Sequence, residues 1–422
     1  MSLLLTPEML QRRAGEARTS LAGLTRSLRT ELQPLLDAGP RIPDHKALLS
    51  RDGGRCARDG AYLAFDPFAP HEHRCPICGA VYTGDRHDRW WVMSYQLWLA
   101  ERAVHAATLY ALTGESVLAR LATDILHGYA EQYLRYPNRD NVLGPTRPFF
   151  STYLESIWLL QLCVALDLVE MSGGTGVEGG VVRDRIIEPS SALIASYDEG
   201  ASNRQVWNNG AMLASSFLLA RPALAERAVF GSSGLGAHLA EALLADGTWY
   251  EGENYHFFAH RGLWYGVTMA ERAGLELPAE LVRRFDEGFA TPLATALPDF
   301  TFPSRRDSAF AVSLRQWRFA ESCELGLARR GDERLIGALH ELYSWDGPKR
   351  DTGRWRSTAE AERNEPASAL TRDDLNWRPL LLARPQLPAL TPNPARSALL
   401  ESQGIAVLRR DEGRMYVALD YG

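Results

Sequence analysis

Apolar residues recur at spacings of three and four through most of this chain, in long segments that Gly and Pro separate. This spacing places apolar side chains on one face of a helix, so each segment predicts a helix that packs against others. Short connections make consecutive helices antiparallel neighbours. The predicted helices are residues 7–37, 90–113, 116–135, 151–171, 181–197, 204–220, 222–245, 253–273, 277–296 and 312–329.

So many helical hairpins exceed a four-helix bundle and favour an arrangement around an axis. The expected fold class is therefore mainly α, an incomplete (α/α) toroid of helical hairpins. No strict repeat is visible, so the ring is inferred from the number of helices alone. A chain of 422 residues is long enough for one such large domain or for two ordinary ones.

Past residue 345 the chain becomes rich in Pro, Gly and charge, and then the stretch "QGIAVLRRDEGRMYVALDYG" alternates around a "DEG" turn. This pattern predicts a β-hairpin, which is marginal alone and is read as the start of a truncated C-terminal antiparallel β-sandwich. The expected divisions are an N-terminal helical region with a Cys/His knuckle (1–87), the toroid (88–345), a connector (346–397) and the first strands of the sandwich (398–422).

Charge excludes some partners, because 46 Lys and Arg against 52 Asp and Glu give a net charge of -6. No global basic field is present to hold nucleic acid or an anionic membrane, so a polyanionic ligand must be attracted locally. No apolar run approaches the roughly 18 to 20 residues of a membrane span. The N-terminus does not resemble a signal peptide, so a cytoplasmic location is expected. The oligomeric state is not predicted.

Three of the five cysteines cluster in "RCARDGAYLAFDPFAPHEHRCPICGAVYTGD". Cys75 and Cys78 have the spacing of a zinc knuckle, and Cys56 and His73 complete a predicted structural zinc site, with His71 competing as the fourth ligand. The alternative is a turn with reduced cysteines and solvated histidines. No organic cofactor is expected, because phosphate-loop, nicotinamide and Ser-elbow motifs do not occur.

Two further segments concentrate polar chemistry. The stretch "SNRQVWNNGAM" surrounds an aromatic ring with neutral hydrogen-bond donors near a helix start, a combination that sugars bind. The alternative for its first residues is helix capping. The stretch "DGTWYEGENYHFFAHRG" places His256 and His260 four residues apart on one helix face, with Tyr255 and Arg261 beside them. A single His on such a helix would more often be a core residue.

Together with "HRCPICGAVYTGD" and "RRDSAFAVSLRQWRFAE", these segments resemble the heparinase II/III-like, alginate lyase-like family of polysaccharide lyases. The resemblance implies an (α/α) toroid followed by a β-sandwich, and cleavage of uronic-acid polysaccharides by β-elimination. It implies that Tyr255 is the proton donor and that a His on another element completes the pair. It also places Arg147 and Tyr153 of "TRPFFSTYLESIW" beside the cleft as sugar contacts. A family His loop in the sandwich would lie beyond residue 422, so the chain could bind sugar without efficient turnover.

Elimination requires neutralisation of the uronate carboxylate, removal of the C5 proton and protonation of O4. Because a free Tyr is a poor base at neutral pH, Arg261 or protonated His256 would have to favour the phenolate. As an acid, Tyr255 needs no such help. The expected catalytic residues are Tyr255, His256 and Asn208; the expected substrate-binding residues are Asn203, Gln205, Trp207, Asn209, Tyr153, Arg147, His260 and Arg261.

Two alternatives stay open. A toroid glycoside hydrolase needs two carboxyl groups, and Glu251 and Glu253 point to different helix faces, so it would need Asp246 or Asp307 as a partner. A non-catalytic carbohydrate-binding protein would use the same amides and aromatic rings without proton transfer. The expected partner in every case is an acidic polysaccharide or oligosaccharide.

Overall fold

The computed structural model describes residues 2–174, 178–307, 311–350, 366–394, 396–411 and 413–421. The described chain is mainly helical, and among its helices none combines the length and apolarity that crossing a bilayer requires. The helices are α1 Pro7–Ala17, α2 Ala22–Ala38, α3 Asp85–Thr113, α4 Ser116–Gln132, α5 Thr152–Met171, α6 Gly179–Val182, α7 Glu188–Ala195, α8 Asn203–Leu218, α9 Pro222–Phe230, α10 Leu235–Ala237, α11 Glu253–Ala273, α12 Ala279–Glu287, α13 Trp317–Arg330, α14 Glu333–Tyr343 and α15 Trp377–Leu382.

Helices α3, α5, α8 and α11 pack side by side in that order and form an inner row. They are buried along most of their lengths, as expected of helices that are apolar on more than one face. Helix α4 packs on α3, α9 packs on α8, and α7 contacts both α5 and α8. The mainly α fold built from helical hairpins is confirmed, and its closure into an incomplete toroid stays a prediction.

The strands form two small antiparallel sheets. Strand β1, His73–Arg74, pairs with β2, Val81–Tyr82. Strands β3 Ala398–Leu400, β4 Ile405–Arg410 and β5 Met415–Asp420 form a three-stranded sheet in that order. The predicted C-terminal hairpin is therefore confirmed, and its membership of a β-sandwich stays a prediction.

Four predicted helices are interrupted or shortened, and one of them, 312–329, begins only at Trp317. The segment 7–37 is two helices, which a turn at residues 18–21 separates. The segment 222–245 breaks at the "GSSG" turn after Phe230, where Gly favours a turn. The segment 277–296 ends as a helix at Glu287 and continues as a 3₁₀ turn that contains Pro292.

Helices α14 and α15 were not predicted. Helix α15 lies inside the expected connector 346–397, of which residues 351–365 are outside the described residues. Trp377 is fully buried, and Arg378 forms a buried ion pair with Glu321 at 2.7 Å. This part of the connector is therefore a component of the helical core.

Candidate functional site

The start of α8 and the loop before α11 meet at Glu251. Asn203 Nδ2 and Trp249 Nε1 donate to the same carboxylate oxygen, at 2.8 and 2.7 Å. The hydroxyl of Ser202 accepts from the backbone N–H of Gln205 at 3.1 Å and caps α8. The capping alternative therefore holds for Ser202, whereas Asn203 joins two elements.

The other three predicted amides form one buried chain of hydrogen bonds. Ser156 Oγ donates to Asn208 Oδ1 at 2.6 Å, and Asn208 Nδ2 donates to Gln205 Oε1 at 3.1 Å. Gln205 Nε2 donates to Asn209 Oδ1 at 3.0 Å, and Asn209 Nδ2 donates to the carbonyl of Ser233 at 2.8 Å. The structure thus brings the amides together, but their hydrogen bonds join α5, α8 and the 231–234 turn instead of facing solvent.

Two of the predicted sugar contacts have structural partners within the protein. Trp207 is completely buried, with its ring 5.4 Å from that of Phe258 and 5.9 Å from that of Tyr265, so it has no free face for a sugar. The guanidinium of Arg147 donates to the carbonyls of Leu134 and Tyr136 at 3.3 and 2.8 Å, which it stabilises after the end of α4. Neither geometry supports the predicted role.

His256 is completely buried and uses both ring nitrogens. Nδ1 accepts from the backbone N–H of Trp249 at 3.0 Å, and Nε2 donates to the carbonyl of Gly288 at 2.7 Å. Burial lowers the pKa of His256 to about 4. The ring is therefore neutral near pH 7 and has no free nitrogen for proton transfer.

His260 and Arg261 are also buried. His260 Nε2 donates to the carbonyl of Phe285 at 2.8 Å, and its ring stacks on that of His256 at 5.1 Å. Burial, then the neighbouring His256, lower the pKa of His260 well below its ordinary value. Both rings are therefore neutral near pH 7. The geometry does not support the expected imidazolium of His256 as the group that favours a phenolate at Tyr255.

Tyr255 is half-buried at the start of α11. Burial, followed by the charges of Asp307 and Glu251, raises the pKa of its phenol, while Arg204 acts in the opposite direction. Tyr255 is therefore protonated at neutral pH, which suits a proton donor better than a base.

Arg204 is a residue that the sequence reasoning missed. It lies in the first turn of α8, its side chain is 40% exposed, and it pairs with the buried carboxylate of Glu199. Its charge acts on the phenols of Tyr250 and Tyr255, and the phenol of Tyr153 acts on its own pKa. The signal was a single cation within the amide-rich "SNRQ". The Arg204–Tyr255 surface is defined as Tyr153, Arg204, Tyr250, Glu251, Tyr255 and Asp307.

The loop before residue 308 joins this surface to the C-terminal sheet. Arg305 Nε lies 3.3 Å from a carboxylate oxygen of Glu253, and its Nη2 donates to Gln403 Oε1 at 3.0 Å. Arg306 donates to the carbonyl of Tyr250. The segment that leads into β4 is thus fixed beside the Arg204–Tyr255 surface.

The predicted metal site differs in one ligand. The donor atoms of Cys56, Asp59, Cys75 and Cys78 all lie within 4.8 Å of one another. His73 Nε2 and His71 Nδ1 each lie 2.9 Å from a carboxylate oxygen of Asp88 instead. Asp59, and not His73 or His71, therefore completes this group, which is compatible with a structural zinc ion.

A sequence signal for Asp59 was present. The turn "CARDGA" repeats the pattern of "CPICGA" nineteen residues later, with Asp59 at the position of Cys78. The sequence alone favoured the nearby histidines, because structural zinc sites are usually formed by Cys and His.

Comparisons with known proteins find similar solved structures. A scan against protein-family models and a search of the curated proteins find no match. The chain is similar to the heparan sulfate lyase HepC from Pedobacter heparinus, with a TM-score of 0.48 and 12% identity over 98% of this chain and 60% of that one. It is similar to a heparinase III, with a TM-score of 0.42 and 13% identity over 97% and 59% of the two chains.

A third similar structure is the alginate lyase A1-III from Sphingomonas species A1, with a TM-score of 0.41 and 14% identity over 73% of this chain and 88% of that one. The chain spans about 60% of the length of the heparan sulfate lyase. With identities of 12 to 14% and TM-scores below 0.5, these likenesses assign neither a family nor an activity to this chain.

Proposed function

We propose that this chain acts as a polysaccharide lyase that cleaves uronic-acid-containing saccharides by β-elimination and leaves unsaturated uronate ends. The observation that carries the proposal is the shared position of Tyr255 and Arg204. Arg204 is partly exposed and lies close enough to the half-buried Tyr255 for its charge to oppose the rise in the pKa of that phenol. One group can donate a proton and the other can bind a carboxylate.

The proposed reaction removes the proton at C5, forms the C4–C5 double bond and breaks the bond between C4 and O4. Arg204 binds the uronate carboxylate and stabilises the negative charge that develops on it. Tyr255 donates its proton to the departing O4. This chemistry needs side chains only, so it includes no organic cofactor.

Asp307 is the proposed acceptor of the C5 proton. Glu251 and Asp307 are the carboxylates of the Arg204–Tyr255 surface, and Glu251 already accepts hydrogen bonds from Asn203 and Trp249. Asp307 is exposed, and its charge raises the pKa of the Tyr255 phenol. It can therefore accept one proton and return it to Tyr255 after each cycle.

The other predicted catalytic residues have positioning roles in this proposal. Asn208 holds α8 against α5, and α8 presents Arg204. His256 fixes the backbone of Trp249, six residues before Tyr255. Their substitution would act on activity through the positions of Arg204 and Tyr255.

The proposed substrates are acidic polysaccharides or oligosaccharides. Because the whole chain has a net charge of -6, attraction of a polyanion must come from local cations. Arg204 is the partly exposed cation of this surface, and the exposed Arg306 lies beside it.

A glycoside hydrolase is the second candidate. The charges of Glu251 and Asp307 both raise the pKa of Tyr255, so two carboxyl groups lie around the same phenol, and hydrolysis requires a pair of carboxyl groups. A hydrolase releases reducing ends without forming a double bond. The two reactions therefore give different products from the same substrate.

The deciding experiment follows ultraviolet absorbance and reducing ends in parallel on alginate, heparan sulfate, hyaluronan and chondroitin oligosaccharides. A lyase raises both signals, and the substrate that responds is identified directly. Reducing ends without new absorbance would establish the hydrolase. Binding without either signal would establish a non-catalytic carbohydrate-binding protein.

Tyr255→Phe tests the proton donor. Loss of the hydroxyl should lower turnover by roughly 10²- to 10⁴-fold while sugar binding is retained. Tyr110→Phe is the matched control, because the Tyr110 hydroxyl donates to the carbonyl of Ser172, away from the Arg204–Tyr255 surface. Full turnover in Tyr255→Phe would exclude Tyr255 as the proton donor.

A further inference from the structure

Two turns before α3 have the same sequence pattern and the same backbone hydrogen bonds. In "CARDGA" the N–H of Cys56 donates to the carbonyl of Ala61 at 2.8 Å. In "CPICGA" the N–H of Cys75 donates to the carbonyl of Ala80, also at 2.8 Å. The second turn therefore repeats the first in structure as well as in sequence.

The glycines and amides of these turns strengthen the likeness. Gly60 and Gly79 have φ angles of 72° and 71°, a left-handed conformation that favours Gly. The backbone N–H groups of Arg58 and Ile77 each donate to the sulfur of the first cysteine of their turn, at 3.4 Å. Each turn thus directs hydrogen-bond donors toward a sulfur, an arrangement that stabilises a thiolate.

The two turns face each other, so that their four side chains converge. Cys56 Sγ lies 3.5 Å from Cys78 Sγ, and Cys75 Sγ lies 3.4 Å from Asp59 Oδ2. Zinc bonds of about 2.3 Å to sulfur and 2.0 Å to oxygen place tetrahedral ligand atoms roughly 3.5 to 3.8 Å apart. The two separations are close to those values, and they are far longer than the roughly 2.0 Å of a disulfide.

We propose that Cys56, Asp59, Cys75 and Cys78 bind one Zn²⁺ in a closed tetrahedral site. Three thiolates and one carboxylate supply four ligands, and the thiolates favour zinc over magnesium or calcium. Both first cysteines are buried and both second ligands are exposed, so the ion lies at the edge of the core. This site is independent of the proposed lyase activity.

The ion would stabilise a segment that has little regular structure. The described residues 39–84 include the short strands β1 and β2 and no helix. His73, in β1, bonds to Asp88 in the first turn of α3, and His87 in the same turn bonds to the carbonyl of Gly53. Zinc would therefore join the two turns to each other, beside these bonds to α3, and its binding free energy would contribute to folding.

The first experiment measures bound metal in the full chain, purified in reducing buffer without chelator. One zinc ion per chain is expected, and a strong chelator should lower the melting temperature until zinc is added back. Metal-free protein whose melting temperature does not respond to zinc would overturn the proposal. A disulfide between Cys56 and Cys78 in the purified protein would also overturn it.

Substitution of Asp59 separates the proposed ligand set from the one that includes a histidine. Asp59→Cys should increase zinc affinity by about tenfold or more in a chelator competition, because a fourth thiolate replaces an oxygen ligand. A gain of affinity cannot arise from misfolding. Asp59→Asn should lower the affinity by roughly tenfold.

His73→Gln and Cys323→Ser are the matched controls, and both should keep the zinc ion. Cys323 is a buried cysteine of α13, outside the two turns. Loss of zinc in His73→Gln with unchanged affinity in Asp59→Asn would assign the fourth ligand to His73 and overturn the role of Asp59.

Discussion

Asn203 Nδ2 donates to Glu251 Oε2 at 2.8 Å and thereby ties the first residue of α8 to the loop that leads into α11. The same oxygen accepts from the indole of Trp249, and the backbone N–H of Trp249 donates to His256. One carboxylate and one imidazole therefore fix the segment immediately before Tyr255. Asn203, Glu251 and His256 have side chains that could act in catalysis, but here they hold the backbone before Tyr255 in place.

Glu251→Ala should lower the free energy of unfolding by about 1 to 3 kcal/mol, because it leaves the side-chain donors of Asn203 and Trp249 without their acceptor. Glu251→Gln keeps one acceptor oxygen and should cost less. Urea denaturation measures both changes. Glu276→Ala, at an exposed position, should stay within about 0.5 kcal/mol of the unmodified chain. Equal effects at residues 251 and 276 would contradict the role of Glu251.

Arg204→Ala should weaken binding of acidic oligosaccharides by roughly tenfold or more, because it removes a charged hydrogen-bond donor. The dependence of affinity on salt should decrease as well. Arg204→Lys should recover only part of the affinity, since Lys lacks the planar pair of donors. Binding titrations at two salt concentrations measure these effects.

The Arg204 result needs a control for folding, because Arg204→Ala leaves the buried carboxylate of Glu199 without its cation. The double variant Arg204→Ala, Glu199→Gln removes this cost and should bind as weakly as the single variant. Arg221→Ala removes an exposed guanidinium that pairs with Glu188 and should leave affinity unchanged. Restored affinity in the double variant would show that Arg204 does not contact the substrate.

The inner helices were predictable because their sequences carry long apolar patterns. Helices α3, α5, α8 and α11 begin and end within a few residues of the predicted segments. Helix α15 has only six residues, too few for a pattern with a period of 3.6 to be recognised. Its position depends on the distant partners of Trp377 and Arg378, which local sequence does not encode.

The candidate site was less predictable, because a sequence shows the residue types but not the directions in which their side chains point. Nothing in "QVWNN" shows that Gln205, Asn208 and Asn209 bond to one another or that Trp207 is buried. The partners of His256 are backbone atoms of Trp249 and Gly288, which no residue type specifies. Asp59 is different, since the repeated turn could have identified it from sequence.

Acidification should destabilise the fold through His256. Burial lowers the pKa of His256 to about 4 from an ordinary value of 6.5, so below pH 6.5 the unfolded chain binds a proton that the folded chain does not. The His256 contribution therefore lowers the free energy of unfolding by about 3 kcal/mol as pH decreases from 6.5 to about 4. Above pH 6.5, His256 makes no pH-dependent contribution. His260 acts in the same direction.

Asp167 acts in the opposite direction, because burial raises its pKa to about 6 and the folded chain binds its proton first. The comparison of variants isolates the His256 contribution. In urea denaturation from about pH 7 to pH 4, His256→Gln should be less stable at neutral pH but should lose less stability on acidification. His45→Gln, at an exposed position, should follow the unmodified chain. Parallel profiles for His256→Gln and the unmodified chain would refute a buried neutral His256.

The close approach of α8 and α11 depends on Gly262. A Cβ atom at this position would lie 2.7 Å from Val206 Cγ1 and 3.3 Å from the indole of Trp207, both of which belong to α8. Gly262→Ala should therefore lower the free energy of unfolding by about 1 to 3 kcal/mol. Gly15→Ala is the control, because Gly15 lies in α1 with no atom within 4 Å of the added methyl group and the change should stabilise the chain by roughly 0.5 to 1 kcal/mol.

Gly262→Ala also tests whether the distance between α8 and α11 matters for binding. Helix α8 carries Arg204 and α11 carries Tyr255, so displacement of one helix changes the separation of the two groups. Affinity for an acidic oligosaccharide should decrease in Gly262→Ala under conditions in which the variant is fully folded, and it should not change in Gly15→Ala. Unchanged affinity in a folded, destabilised Gly262→Ala would show that the Arg204–Tyr255 surface tolerates the displacement and that its geometry is not set by this helix contact.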